Sequence, residues 1–232
     1  MDKPFGHKNY GSIGHLPNSR LGVGDHCVTI GQARIATEKK RDKNDRIIVQ
    51  EKLDGSNTGV GLLNGQLIPM GRAGYPAETS PHKQHHLFAR WVNKNRNRFM
   101  DMLNEGERLV GEWLLQAHST RYKLIHEPFV AFDLMVGSER FIFDDFMDRV
   151  SGTFQTPHVI ELYEPISTRE ALARLGEYGF HGAIDRVEGA VWRVERNQKV
   201  DFLTKYVRQD KEDGKYFPEN TGEEIMWNER FD

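Results

Sequence analysis

The chain has 232 residues, 38% apolar and 28% charged, the make-up of one globular domain with small additions. Its 32 basic and 34 acidic residues leave a net charge of −2, which excludes capture of nucleic acid by a whole-protein positive field but leaves room for a local basic groove. A single cysteine excludes an internal disulfide and argues against a cysteine-based zinc site, and no signal stretch or membrane-length apolar run is present, so a cytoplasmic location is expected.

Residues 1–46 read as an irregular N-terminal extension, punctuated by glycines between Tyr10 and Gly24. Cys27 is expected there as a buried small hydrophobe, and the polar run Glu38 to Arg46 as a solvated turn. The core is expected over 47–207. Ile47-Ile48-Val49 begins it as a strand, followed by a hairpin of Thr58–Leu63 and Gln66–Met70 across Asn64-Gly65. Ser80-Pro81 then opens one long helix through Leu103, with Phe88, Trp91, Val92, Phe99 and Met102 at helical spacing. Its other face carries Lys83, Arg90, Lys94, Arg96 and Arg98, either a strand-binding surface or a plain solvated one. His82, His85 and His86 are expected on that solvated side. Strands follow at Arg108–Leu114, Phe129–Val136, Ala190–Val194 and Val200–Val207, with a capping box at Ser167 and Glu170 starting a short helix through Tyr178. Residues 208–232 form a polar C-terminal tail expected to pack on the core. There is no internal repeat and no P-loop. The sum is an α+β chain of antiparallel β-sheets with flanking helices.

Lys52-Leu53-Asp54-Gly55 puts an amine at a strand end, before a glycine that lets the backbone turn. Such an amine can enter a cleft and, once deprotonated, attack phosphorus. Alone, the motif favours the plainer reading, a strand lysine before an Asp-Gly turn. Further along stand Gly71-Arg72-Ala73-Gly74, Gly111-Glu112-Trp113, Phe132-Asp133, Glu188-Gly189-Ala190-Val191 and Lys205 within Phe202-Leu203-Thr204-Lys205-Tyr206. Phe132 on a strand is ordinarily core. Glu112, set among Leu109, Val110, Trp113 and Leu114, is an acid that is hard to bury without a partner.

In this order, from 51 to 205, the six segments resemble motifs I, Ia, III, IIIa, IV and V of the covalent nucleotidyltransferase superfamily, which holds ATP-dependent ligases and mRNA capping enzymes. Within it the resemblance is to the ATP-dependent RNA ligase family. The segment Tyr10-Gly11-Ser12-Ile13-Gly14-His15-Leu16-Pro17 and the tail also look like a group of bacterial and phage RNA ligase-like proteins. The resemblance implies a nucleotidyltransferase (adenylation) domain of the ligase type. The 27 residues after Lys205 are too few for an appended OB domain, so none is expected.

The resemblance also implies a role for each position. Lys52 becomes lysyl-AMP, and Glu51 faces the adenine amino group. Asn57 contacts phosphate or the leaving strand and favours RNA over DNA. Arg72 holds phosphate, Glu112 accepts from the ribose hydroxyls and Phe132 stacks on adenine. Glu188, with Asp133, organises a divalent ion, and Lys205 sits on the α-phosphate. One departure stands out: motif V has lysines two apart, whereas Leu203 occupies the earlier position here, leaving Lys199 or Arg208 as candidates.

The implied reaction is ATP-dependent RNA ligation: AMP moves from Lys52 to an RNA 5′-phosphate, and a 3′-hydroxyl then seals the strand, as in RNA repair. ATP is the substrate and Mg²⁺ or Mn²⁺ the ion. RNA is the partner, no membrane is involved, an accessory protein could assist sealing, and the chain is expected to act as a monomer. The rivals are a DNA ligase or capping-type guanylyltransferase, against which Asn57 and the missing OB domain speak, and a silent nucleic-acid-binding relative. Intact Lys52, Glu112, Glu188 and Lys205 argue against the latter.

Overall fold

Side chains alternate along a strand, so the run Ile47-Ile48-Val49 divides itself between two cores. Ile48 joins an aromatic cluster with Phe88, Trp113 and Phe129, while Ile47 and Val49 join a second core with Ala36, Leu175 and Trp192. The strand that carries Lys52 is therefore fixed from both faces.

The computed structural model describes residues 2–229. In chain order they form β1 (Gly14–His15), α1 (Ile30–Thr37), β2 (Asp45–Lys52), β3 (Ser56–Leu63), β4 (Gln66–Gly71), a 3-10 turn (Ala77–Thr79), α2 (Lys83–Lys94), α3 (Arg96–Met102) and β5 (Glu107–Trp113). There follow β6 (Phe129–Val136), β7 (Glu139–Arg140), α4 (Phe143–Val150), β8 (Val159–Glu161), α5 (Thr168–Leu175), β9 (Gly189–Arg196), β10 (Lys199–Val207) and α6 (Pro218–Thr221). Among the described residues these make two five-stranded sheets, β1-β10-β9-β2-β8 and β4-β3-β5-β6-β7. Their pairings are antiparallel except β1 with β10, giving the expected α+β architecture. Residues 53–55 carry the chain from the first sheet to the second, so the Lys52 motif is itself the crossing.

The hairpin turn forms as anticipated, with Asn64 and Gly65 at φ of +51° and +71°, the doubly left-handed geometry that matches strand twist. Three local expectations differ. The long helix is two helices, broken at Asn95, whose side-chain amide donates to Trp91 O at 2.9 Å and competes with the backbone ladder. It also starts later, at Lys83, with Ser80 Oγ accepting the His82 N–H from outside. The helix after Ser167 stops at Leu175 because Gly176 turns to φ +69°.

The N-terminal 46 residues are not wholly irregular. They hold α1, and β1 enters the first sheet beside β10. Thr29 and Gln32 form a reciprocal capping box on α1, so Thr29→Ala should lower stability by about 1 kcal/mol in urea unfolding. A loss below a few tenths would mean the cap is not holding the helix. Cys27, expected inside, is exposed, its backbone bridging to His15 while the thiol faces out. The tail packs on the core by hydrogen bonds and by rings: Tyr216 N–H donates to His118 O at 2.9 Å and Asn228 N–H to Leu115 O at 2.8 Å, while Trp227 lies against the aromatic cluster. Residues 230–232 of the expected tail lie outside the described residues. No helix among the described residues is long and apolar enough to cross a membrane.

Candidate active site

A cavity of about 400 Å³ opens between the two sheets. One wall comes from the first sheet, with Glu51, Lys52, Val191 and Lys205 and, just before β9, Glu188. The facing wall comes from the second, with Asn57, Glu112 and Phe132 on its strands and Arg72 just past β4. Of the sequence-predicted residues, eight line this space and Asp133 does not.

Lys52 ends β2 with its Nζ 2.5 Å from Glu188 Oε2. The other Glu188 oxygen accepts from Lys211, a tail residue that the sequence did not single out. Lys211 also reaches Asp54 Oδ1 at 2.9 Å. Burial works against its charge, but Glu188 and Asp54 hold its proton more tightly than usual. Asp54 itself accepts the N–H groups of Ser119 and Thr120, both at 2.7 Å. Burial would raise the Asp54 carboxyl, yet Lys211 and its other donors leave it below the ordinary range. Gly55 is required here, since a Cβ would meet Trp113 O, the residue paired with Ser56. Its N–H donates to Glu112 Oε1 at 3.0 Å.

Two acids are kept from easy ionisation. Burial pushes Glu112 up to about 7, against the pull of Lys52. Glu51 is also pushed to about 7 by burial, offset in part by the Phe180 N–H at 3.0 Å. A carboxyl raised in the folded chain holds a proton that the unfolded chain has already lost, so stability falls as pH rises through that window. Glu51→Gln removes this cost. In nucleotide-free protein its stability relative to the parent should climb by about 2 kcal/mol between pH 4.5 and 7, then level off. A flat difference across that range in urea titrations would show that Glu51 ionises normally.

Phe132 owes its direction to a β-bulge. Asp133 pairs with Val110 and Ala131 with Gly111, leaving Phe132 as the extra residue, turned towards the cavity. Asp133 lies beneath, fully buried. Its oxygens take Arg193 at 2.5 Å, Arg140 at 2.8 Å and Tyr10 OH at 3.1 Å. With both oxygens engaged and no face on the cavity, Asp133 is not available as the expected metal ligand. It is the ion-pair partner of buried Arg193.

Lys205 stands on the same wall as Lys52, two strands over, its pKa lowered by burial and by the charge of Lys52, with Asp25 3.9 Å away. Neither candidate for the missing motif V lysine reaches the cavity. Lys199 is exposed at the start of β10, and Arg208 donates to Val187 O and to Asp210. The additional cation near Glu188 is Lys211 instead. Asn57 lines the cavity with its Oδ1 buried and unpartnered among the described residues, an acceptor waiting for a donor.

The sequence reading also missed His85 and His118. His85, expected in solvent, bridges Ser56 Oγ at 2.7 Å and Ser80 Oγ at 2.6 Å, and burial drives its pKa down to about 4. Its place three residues before Phe88 and seven before Val92 on α2 puts it on the buried face, a signal that the sequence already carried. Lys211 carries no comparable signal. Among the described residues no group of three or more His, Cys, Asp or Glu could cage a metal. Glu188 alone offers a carboxylate on the cavity beside two lysines, which suits an ion that keeps most of its waters and shares its charge with a phosphate.

A sequence profile for the family described as RNA ligase matches residues 45–207. No protein of curated function matches the sequence. Among solved structures, Naegleria gruberi RNA ligase with pyrophosphate matches with a TM-score of 0.55 at 19% identity, over 86% of this chain and 59% of that one. Mutants of the same ligase, one with AMP and Mn and one with ATP and Mn, match at 0.55 and 0.53 with 16% and 18% identity. Each match covers 84% of this chain, and 59% and 58% of theirs. The chain thus spans about three-fifths of the length of these structures, and at such identities the likeness concerns the fold.

Proposed function

The chain belongs to the RNA ligase family, and from that premise we propose that it is an ATP-dependent RNA ligase whose nucleophile is Lys52. One observation carries the reading: the Lys52 amine projects into an intersheet cavity in which Arg72, Lys205 and Glu188 converge on it from both walls.

The chemistry follows from that placement. Lys52 Nζ, as the free amine, attacks the α-phosphorus of ATP; an N–P bond forms, the bond to pyrophosphate breaks, and the amine's proton passes to solvent. Lys205 and Arg72 take the charge that develops on the phosphate oxygens. Phe132 supplies a stacking face for adenine with Glu51 at its edge, and Glu112 receives the ribose hydroxyls in place of the Gly55 N–H it holds now. Glu188 would hold a hydrated Mg²⁺ or Mn²⁺, which would supply neutralisation of phosphate charge. An RNA 5′-phosphate oxygen then attacks the adenylate, breaking the N–P bond and freeing Lys52. Finally an RNA 3′-hydroxyl attacks that 5′-phosphate and AMP leaves. The protein acts as a monomer on RNA ends.

The test is incubation with α-labelled ATP and Mg²⁺ followed by denaturing electrophoresis. A labelled protein band is expected, and chasing it with 5′-phosphorylated RNA should move the label to the RNA. No label from ATP or GTP, with Mn²⁺ also supplied, would end the proposal. Label from GTP alone would make it a capping-type enzyme.

A further inference from the structure

The segment before residue 45 lies outside the part of the chain that the family profile matches, yet it builds one side of the cavity. It reaches the site over glycines. A Cβ at Gly59 would overlap the Asn9 side chain, and one at Gly61 would overlap the Phe5 ring, so β3 has been pared down to let the segment lie against it. The Tyr10 N–H then donates to Arg72 O at 3.3 Å, and Tyr10, Gly11 and Ile13 line the cavity.

Three contacts made by this segment fall on residues already assigned to nucleotide. The Tyr10 ring stands edge-on to Phe132, with centroids 5.2 Å apart at 72°, while its hydroxyl donates to Asp133 beneath. Arg72 Nη2 donates to Ser12 Oγ at 3.1 Å. Asp25, held by His15 at 3.1 Å, faces Lys205 at 3.9 Å. The aromatic platform and both phosphate-side cations are each touched from the same stretch of chain.

We propose that residues 9–25 complete the nucleotide site, with Tyr10 a positioning residue that fixes the Phe132 ring as a stacking face, and Ser12 and Asp25 holding Arg72 and Lys205 where phosphate is received. A bulged phenylalanine has no strand partner to set its rotamer, and Tyr10 supplies that restraint from the side. Ser12 is a neutral acceptor that phosphate oxygen outcompetes. Asp25, nearly 4 Å from Lys205, orients the ammonium while leaving its donors free for the ligand.

This rests on the ligase reading, and its test separates the two. Self-labelling of the full chain is measured over a range of ATP concentrations, with thermal unfolding run alongside. An edge-to-face pair contributes about 1 kcal/mol, so Tyr10→Leu should raise the half-saturating ATP concentration about five-fold while the maximal rate changes less than about two-fold. Tyr10→Phe restores the ring and should recover most of that loss. If Tyr10→Leu does not fold, Ser12→Ala at an exposed position carries the test, with an expected rise of about three-fold. A wild-type chain that takes no label overturns the ligase reading and this inference together. A labelled wild type overturns this inference alone if the variant tested keeps its half-saturating ATP, or loses only maximal rate in step with a lowered melting temperature.

Discussion

Lys52→Ala should reduce ATP-dependent self-labelling to background, a loss on the order of 10³-fold or more, because on the proposed reading its amine forms the covalent adduct. The variant should stay folded. Glu188 keeps Lys211 as a counter-ion, and Lys52 is a strand-end side chain that carries no core packing. The last step offers a sharper control. Sealing of RNA that already bears a 5′-adenylate needs phosphate cations and a metal ligand but no lysine nucleophile. Lys52→Ala should therefore retain part of that activity, whereas Glu188→Ala should lose both. Equal loss of both activities in Lys52→Ala, with an intact fold by circular dichroism, would mean that Lys52 serves binding rather than covalent chemistry.

The largest stability effect is expected at Asp133. Removing its carboxylate with Asp133→Ala leaves Arg193, 2% exposed, without its closest counter-ion between the sheets and with only Glu195, at 3.7 Å, facing it. The cost should be about 3–5 kcal/mol in urea unfolding, and Arg193→Met in the same chain should recover much of it, since a buried pair replaced by apolar groups is often neutral. The double variant also decides between a structural and a metal-binding Asp133. A structural role predicts that the Mg²⁺ concentration for half-maximal labelling is the same in the double variant and in Arg193→Met alone. A ten-fold shift between them would restore Asp133 to the metal site.

What could be read in the chain was what local rules govern. Ile47-Ile48-Val49, the Asn64-Gly65 turn and strand β6 declared themselves through alternation and turn chemistry, and the ordered short motifs pointed at Lys52 before any geometry was known. Asp133 shows the limit. Phe132-Asp133 reads as one motif, but neighbours on a strand point to opposite faces, and only the bulge reveals which one the cavity receives. Lys211 meets Asp54 across 157 positions, in a polar tail with neither periodicity nor motif, so nothing local could announce it. His85 failed for a smaller reason: the polar neighbours Lys83 and Gln84 outweighed its position three residues before Phe88, on the face that α2 buries.

The pairing of β1 with β10 has a consequence for how the chain comes to life. Gly14 and Thr204, joined by a side-chain hydrogen bond, are 190 residues apart, and Lys52 and Glu188 are 136 apart. During synthesis the first forty residues emerge long before the strand they must lie beside. The hairpin β3–β4 and the aromatic cluster around Trp113 can form while the ribosome is still at work, but the nucleotide cavity cannot close until β9, β10 and Lys211 have followed. Until then the Gly14–His15 end of its N-terminal wall has no strand to lie beside. On the proposed reading, ATP binding is therefore gained late, and a nascent chain stalled before residue 199 should bind none of it.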